Sequence, residues 1–265
     1  MKGHFLPWHR LITSYHEKIL REECEYHDAQ PYWDWTLDTP ASKFVQSPIF
    51  DATYGFGGNG PLVPVNTSNN EVPGRTGGGC VQDGPFVNMT VHLGPAASLA
   101  RNDQCLRRDL APDYAATYLG KDKLDTVMAQ ADYGWFARTM EGGPAWDDSQ
   151  IHAGGQYVFY LAGSSRFGVG GTYGQMGDPF TSPADPIFWL HHANLDRVWW
   201  SWQARDPGNR LRDISGPMVL QDWDNAQGGN VTLDFPLSLG YNGWDANISD
   251  VMDIGSLCYS YDELY

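Results

Sequence analysis

The chain has 265 residues, enough to bury a full core, and a single domain over residues 1–265 is the expectation. A formal net charge of −15 argues against nucleic acid or an anionic membrane surface as a partner. No apolar run is long enough to span a bilayer, so membrane insertion is not expected.

In chain order, the first predicted element is a helix over residues 5–24. Phe5-Leu6-Pro7-Trp8-His9-Arg10 opens it, and Ile12, Thr13, His16, Ile19 and Leu20 follow at helical spacing. It ends near Cys24 and leads into Pro31-Tyr32-Trp33-Asp34-Trp35. Residues 50–95 are dominated by Gly, Pro, Asn and Val and read as a long irregular excursion, a type that is usually functional or stapled. Leu106–Leu110 and Asp113–Tyr118 read as short helical pieces. Lys121 to Tyr133 reads as a longer helix with Leu124, Val127, Met128 and Ala131 on one face.

At Ser182-Pro183-Ala184-Asp185-Pro186 the next helix should start, with Asp185 as N-cap and Pro186 in the first turn. Phe188, His192, Leu195, Trp199 and Trp202 then recur as one core-facing stripe. Residues 206–265 look strand-and-loop in character, with turns at Asp206-Pro207-Gly208 and Gly228-Gly229-Asn230.

Four cysteines, Cys24, Cys80, Cys105 and Cys258, permit two disulfides in three pairings; Cys80 with Cys105 would staple the irregular excursion. Asn66, Asn88, Asn230 and Asn247 each head a glycosylation sequon. Sequons beside an even cysteine count point to a secreted protein, although Met1-Lys2-Gly3-His4-Phe5 carries no signal segment.

A histidine inside a stripe of aromatics is either a satisfied core residue or a metal ligand; two histidine-bearing helices favour the ligand, since imidazole suits copper, zinc and iron. Phe-Leu-Pro-Trp-His-Arg, Tyr-Trp-Asp-Trp and Asp-Pro-Ile-Phe-Trp-Leu-His-His-Ala-Asn-Leu-Asp-Arg resemble the tyrosinase and catechol oxidase family in its short fungal branch. The first two flank the copper A site of that family and the third is its copper B signature. The resemblance covers Met1 to about Gln203, and Leu257-Cys258-Tyr259-Ser260-Tyr261-Asp262 is similar to the branch's usual ending.

The resemblance implies a mainly α fold, a helical bundle holding a dinuclear copper site, with long irregular loops and few short strands. Six histidines hold two coppers in such proteins. By motif, His9 matches the third copper A ligand, His152 the first copper B ligand and His192 the third. His191 matches a second-shell histidine beside the substrate mouth. The second copper B ligand would stand at position 156, which is Gln156. Val169-Gly170-Gly171 follows about ten residues later than the family pattern has it. The two remaining copper A ligands would lie before Met1, so the chain is expected to lack the first helix of the bundle, either through a start codon assigned too late, the favoured reading, or as a truncated relative. His4 is not assigned as a ligand.

Arg10 is expected to pair with Asp34 or Asp196 beneath the metal, while Trp33, Trp35, Trp199, Trp200 and Trp202 read as core, and His16, His27 and His92 as ordinary histidines. The implied reaction is O2-dependent oxidation of a phenol or catechol to an ortho-quinone, in fungal secondary metabolism on a phenolic polyketide. The alternatives are a zinc-dependent lyase or hydrolase on the same scaffold, and a non-catalytic remnant with a degraded site.

Overall fold

A computed structural model describes residues 2–64, 72–142, 150–152, 168–220, 222 and 224–265. Its elements are mostly helical, as expected: α1 (Phe5–Glu23), α2 (Ala41–Phe44), α3 (Pro112–Tyr118), α4 (Lys121–Met128), α5 (Tyr133–Glu141), α6 (Ile187–Ala204), α7 (Pro207–Arg210) and α8 (Ile248–Val251). Strands are confined among the described residues to two hairpin-like pairs. Thr90–Val91 (β1) runs antiparallel to Gln104–Cys105 (β2), and Pro236–Leu237 (β3) to Ala246–Asn247 (β4). The chain divides into two compact units, residues 1–32, 126–139 and 192–265 in one, and 33–125 and 140–191 in the other.

In the first unit, α1 buries Leu6, Pro7, Arg10, Leu11 and Thr13. This is not the face the spacing of Ile12, His16, Ile19 and Leu20 predicts; Ile19 is exposed, because the helix packs by its N-terminal half. Its centre is held by an arginine. Arg10 is fully buried, with Nε 2.5 Å from Asp196 Oδ1 and Nη1 donating at 3.0 Å to Gln203 Oε1 and to the carbonyls of Val251 and Met252. Its guanidinium carbon stands 3.7 Å from the centroid of the Trp199 ring, a stacked cation–π contact. Burial acts to lower the Arg10 pKa, but Asp196 and the neighbouring Tyr259 and Tyr261 outweigh it and hold it above the usual value. The residues after Asp206 carry more helical turns than strand, a correction to the strand-and-loop expectation; Pro207 sits in the first turn of α7, where its missing N–H costs nothing.

The predicted helix from Lys121 to Tyr133 is two helices. Asp132 Oδ1 accepts from Trp135 N–H at 2.9 Å and Asp213 Oδ2 from Tyr133 N–H at 2.9 Å, so a new N-terminus is capped where one helix was expected to run through. Tyr133, Phe136, Ala137 and Met140 then form the buried face of α5.

In the second unit, Leu106–Leu110 is extended, not helical. Its backbone groups are taken laterally: Val81 donates to Leu106, Gln175 to Arg107, Gly78 to Arg108 and Thr76 to Leu110. The Cys80–Cys105 disulfide closes this region, and Cys24 and Cys258 are free and exposed. The buried Asp109 carboxylate takes Arg75 Nε at 2.7 Å and the N–H groups of Gly77, Thr172 and Tyr173. Gly171, at φ 47, lies so close to Asp109 that a Cβ would stand 2.2 Å from its carbonyl oxygen, which is a physical reason for glycine in the Val169-Gly170-Gly171 string.

Asp185 caps α6 as expected, accepting from Ile187 N–H at 3.1 Å, and is itself clamped by Arg108 through Nε and Nη2 at 2.9 Å each. The stripe of Phe188, His192, Leu195, Trp199 and Trp202 is buried, yet so is nearly every other residue from Ile187 to Gln203. The helix is thus buried nearly all round, where the sequence pattern indicated a single apolar face.

Candidate metal centre

The histidines singled out by the sequence stand on three elements. His9 is on α1, His191 and His192 are consecutive on α6, and His152 is helical in a short described stretch. His152, His191 and His192 are at most 1% exposed, whereas His9 is half-buried.

In the first unit the His9 and His192 rings stack, with centroids 4.2 Å apart and planes at 15°. His9 Nδ1 lies 2.9 Å from the carbonyl oxygen of Phe5, one turn earlier on the same helix. A carbonyl only accepts, so Nδ1 carries the proton and the lone pair of the neutral ring sits on Nε2.

In the second unit His152 Nδ1 is 2.5 Å from Glu141 Oε2, and a carboxylate fixes the same tautomer. This carboxylate–imidazole arrangement is the usual outer support of a metal-ligating histidine, orienting the ring and raising its basicity. His191 is 6.1 Å from His152 between ring centroids, and a nitrogen of each ring lies within 4.8 Å of the other. Its Nδ1 faces the indole Nε1–H of Trp35 at 3.0 Å. The donor chemistry of each ring suits copper: at half-buried His9 and at buried His152 the Nδ1 side is held by an acceptor, which leaves Nε2 for a metal.

Of the expected supporting residues, Arg10 and Asp196 come together. Asp34 instead caps a single turn, accepting from the N–H of Thr36 at 3.1 Å and from its hydroxyl at 2.6 Å. The pairing falls to Asp196 because it lies on α6 against α1 inside one unit. Asp196 Oδ2 also accepts from the hydroxyls of Tyr259 and Tyr261, the latter at 2.6 Å. Burial first, then the Asp196 charge, pushes both phenols well above their ordinary pKa. Tyr259 and Tyr261 also line a cavity of about 430 Å³ with Thr13, Glu17 and Tyr32, which none of the four histidines lines.

Sequence reasoning missed Glu141 and read Trp35 as core only. Trp35 is core, 1% exposed, but its indole nitrogen is also committed to His191. Gln156 and the added residues around it lie outside the described residues. His4, not assigned as a ligand, stacks on Phe235 at 4.8 Å. His16 pairs with Gln30, and His92 with Asp103 on the surface.

A family description, the common central domain of tyrosinase, matches residues 1–205. A tyrosinase-like protein of Diaporthe leptostromiformis is 32% identical over 276 residues, covering 97% of this chain but only 65% of that protein, so the chain spans about two thirds of its length. An oxidase of Aspergillus hancockii is 31% identical over 281 residues, covering 98% of this chain and 94% of the oxidase. Among solved structures, a mutant polyphenol oxidase from Thermothelomyces thermophila superposes with a TM-score of 0.79 at 33% identity, covering 99% of this chain and 73% of that one.

Proposed function

Since the chain belongs to the tyrosinase family, we propose that it is a copper oxidoreductase that oxidises a phenol or catechol with O2 to an ortho-quinone. The observation that carries this reading is the pair of held tautomers: His9 on Phe5 and His152 on Glu141 each keep a lone pair on Nε2. By the family pattern His9 would serve one copper and His152 and His192 the other; the metal, when bound, supplies the electron exchange with O2 that no side chain provides.

The chain's own residues then have separable roles. Glu141 fixes the His152 ring and tautomer, and the Phe5 carbonyl does the same for His9. Arg10 and Asp196 lock α1 to α6 at positions one residue after His9 and four residues after His192, so the two imidazoles keep their stacking distance. His152 and His191 in the second unit, and His192 in the first, are each buried, which strengthens the polar interactions that each ring makes.

The experiment is copper reconstitution followed by O2 uptake and quinone absorbance on catechol, against metal-free protein. A chain that takes up copper stoichiometrically and still consumes no O2 with any of a panel of mono- and diphenols would defeat the reading. Zinc finds no support among the relatives. The remnant reading retains one observation, the amide of Gln156 where the family places imidazole. It predicts that Gln156→His raises copper uptake.

Secretion as a glycoprotein is the accompanying proposal. Asn88, Asn230 and Asn247 of the sequons are exposed, the disulfide is formed, and no helix among the described residues is long and apolar enough to cross a membrane. Mass spectrometry of protein from a secreting fungal host, before and after glycosidase, tests it; no glycan on any of the four sequon asparagines would refute it. A polyketide-derived phenol as substrate rests on the resemblance to the short fungal branch.

A further inference from the structure

We propose that Trp35 is a positioning residue: its indole N–H fixes His191 as the Nε2–H tautomer, which makes His191 a hydrogen-bond donor beside His152 and excludes it from the metal ligand set. The inference rests on the copper reading above for its functional meaning, not for its geometry.

By distance alone His191 is as eligible a ligand as His152. Both are 0% exposed, their rings are nearly parallel at 14°, and a nitrogen of each is within 4.8 Å of the other. Chemistry separates them. The indole nitrogen of Trp35 is a donor only, and it sits 3.0 Å from His191 Nδ1 with both side chains buried. Nδ1 must therefore present its lone pair to Trp35. A neutral imidazole has one N–H, so that proton is on Nε2. A metal binds a lone pair, and the one His191 possesses is already engaged.

Glu141 does the reverse to His152, where a carboxylate acceptor puts the proton on Nδ1 and the lone pair on Nε2. Two adjacent buried imidazoles are thus held in opposite tautomers by neighbours of opposite hydrogen-bonding character. One becomes a ligand and the other supplies a fixed N–H for an oxygen atom of a phenolic molecule in the site. For His191 to bind a metal through Nε2, its proton would have to move to Nδ1, facing Trp35 donor to donor and leaving a buried indole N–H unsatisfied. Trp35 thereby keeps the metal on the right histidine of the His191-His192 pair.

The test is two-bond 1H–15N correlation on the metal-free full-length chain labelled with 15N-histidine, with His191→Gln identifying the His191 signals by their loss. The expected spectrum shows His191 as a single Nε2–H tautomer with a non-protonated, hydrogen-bonded Nδ1, and His152 as Nδ1–H. In Trp35→Phe, His191 should lose the single Nε2–H pattern while His152 keeps its own. A wild-type His191 in the Nδ1–H form overturns the proposal, as does a Trp35→Phe variant whose His191 pattern is unchanged. If that variant does not fold, the wild-type spectrum decides alone. Should the tautomers be as expected while the chain binds no copper, the copper reading falls and the Trp35–His191 assignment stands.

Discussion

Nε of Arg10 lies 2.5 Å from Oδ1 of Asp196, and both side chains are almost wholly removed from water. The pair joins the residue after His9 to the residue one turn beyond His192, so the contact that holds the two helices together also sets the stacking of the His9 and His192 rings. Removing one partner leaves a buried charge uncompensated. Arg10→Met should therefore destabilise the metal-free protein by about 3–5 kcal/mol in urea unfolding. A loss under about 1 kcal/mol would mean that the pair is solvated in practice.

Tyr259 and Tyr261 give the protein an alkaline limit. Their folded pKa values are raised by burial and by Asp196, so the folded state holds their protons longer than the unfolded chain does. The contribution is fully present below the unfolded phenol value of about 10 and is lost as pH rises past it. Urea midpoints should fall from about pH 10 upward, and the fall should be shallower in the double variant Tyr259→Phe, Tyr261→Phe, whose neutral-pH stability is lower. Equal slopes in the two proteins would remove the phenols from the account.

At the acid end His4 plays the opposite part. Burial, and then Lys2, pulls its pKa down from 6.5 to about 4. The unfolded chain takes up the proton first, so stability present above pH 6.5 is lost as pH falls toward 4. His4→Phe keeps the stacking on Phe235 and should flatten the decline between those values. The measurement is the unfolding midpoint at pH 7 and at pH 4.5.

Glu141→Gln tests the support of His152. An amide can present its NH2 to Nδ1 and so release the tautomer that leaves Nε2 able to bind. Copper affinity should drop 10–100-fold by chelator competition, a typical cost of losing such a carboxylate, roughly as surveyed for metal sites. Unchanged affinity would show that His152 holds no metal.

The Cys80–Cys105 bridge closes a loop with a sequence separation of 25. Loop-closure entropy makes it worth about 3–4 kcal/mol. Cys80→Ser with Cys105→Ser should lose that much in chemical unfolding. The β1–β2 pairing that Cys105 terminates should show faster amide exchange. Little change in either would place the stabilisation of this region in the Asp109 and Arg108 networks.

The sequence by itself determined the family, the helical class, the α6 start at Asp185-Pro186 and the identity of His9, His152, His191 and His192 as the residues to watch. These signals are local: a cap, a helical period, an ordered string of aromatics around histidine. The local code failed at Leu106–Leu110, where lateral backbone pairing replaced a helix, and between Lys121 and Tyr133, where Asp132 and Asp213 capped a second start. It left open whether Arg10 pairs with Asp34 or Asp196, and which cysteines join. It gave no hint of Glu141 beside His152 or of the indole proton of Trp35 on His191. Those partners lie 186, 11 and 156 residues apart along the chain. Which proton sits on which nitrogen depends on a neighbour brought in by tertiary packing, and no periodicity within a helix encodes such a neighbour.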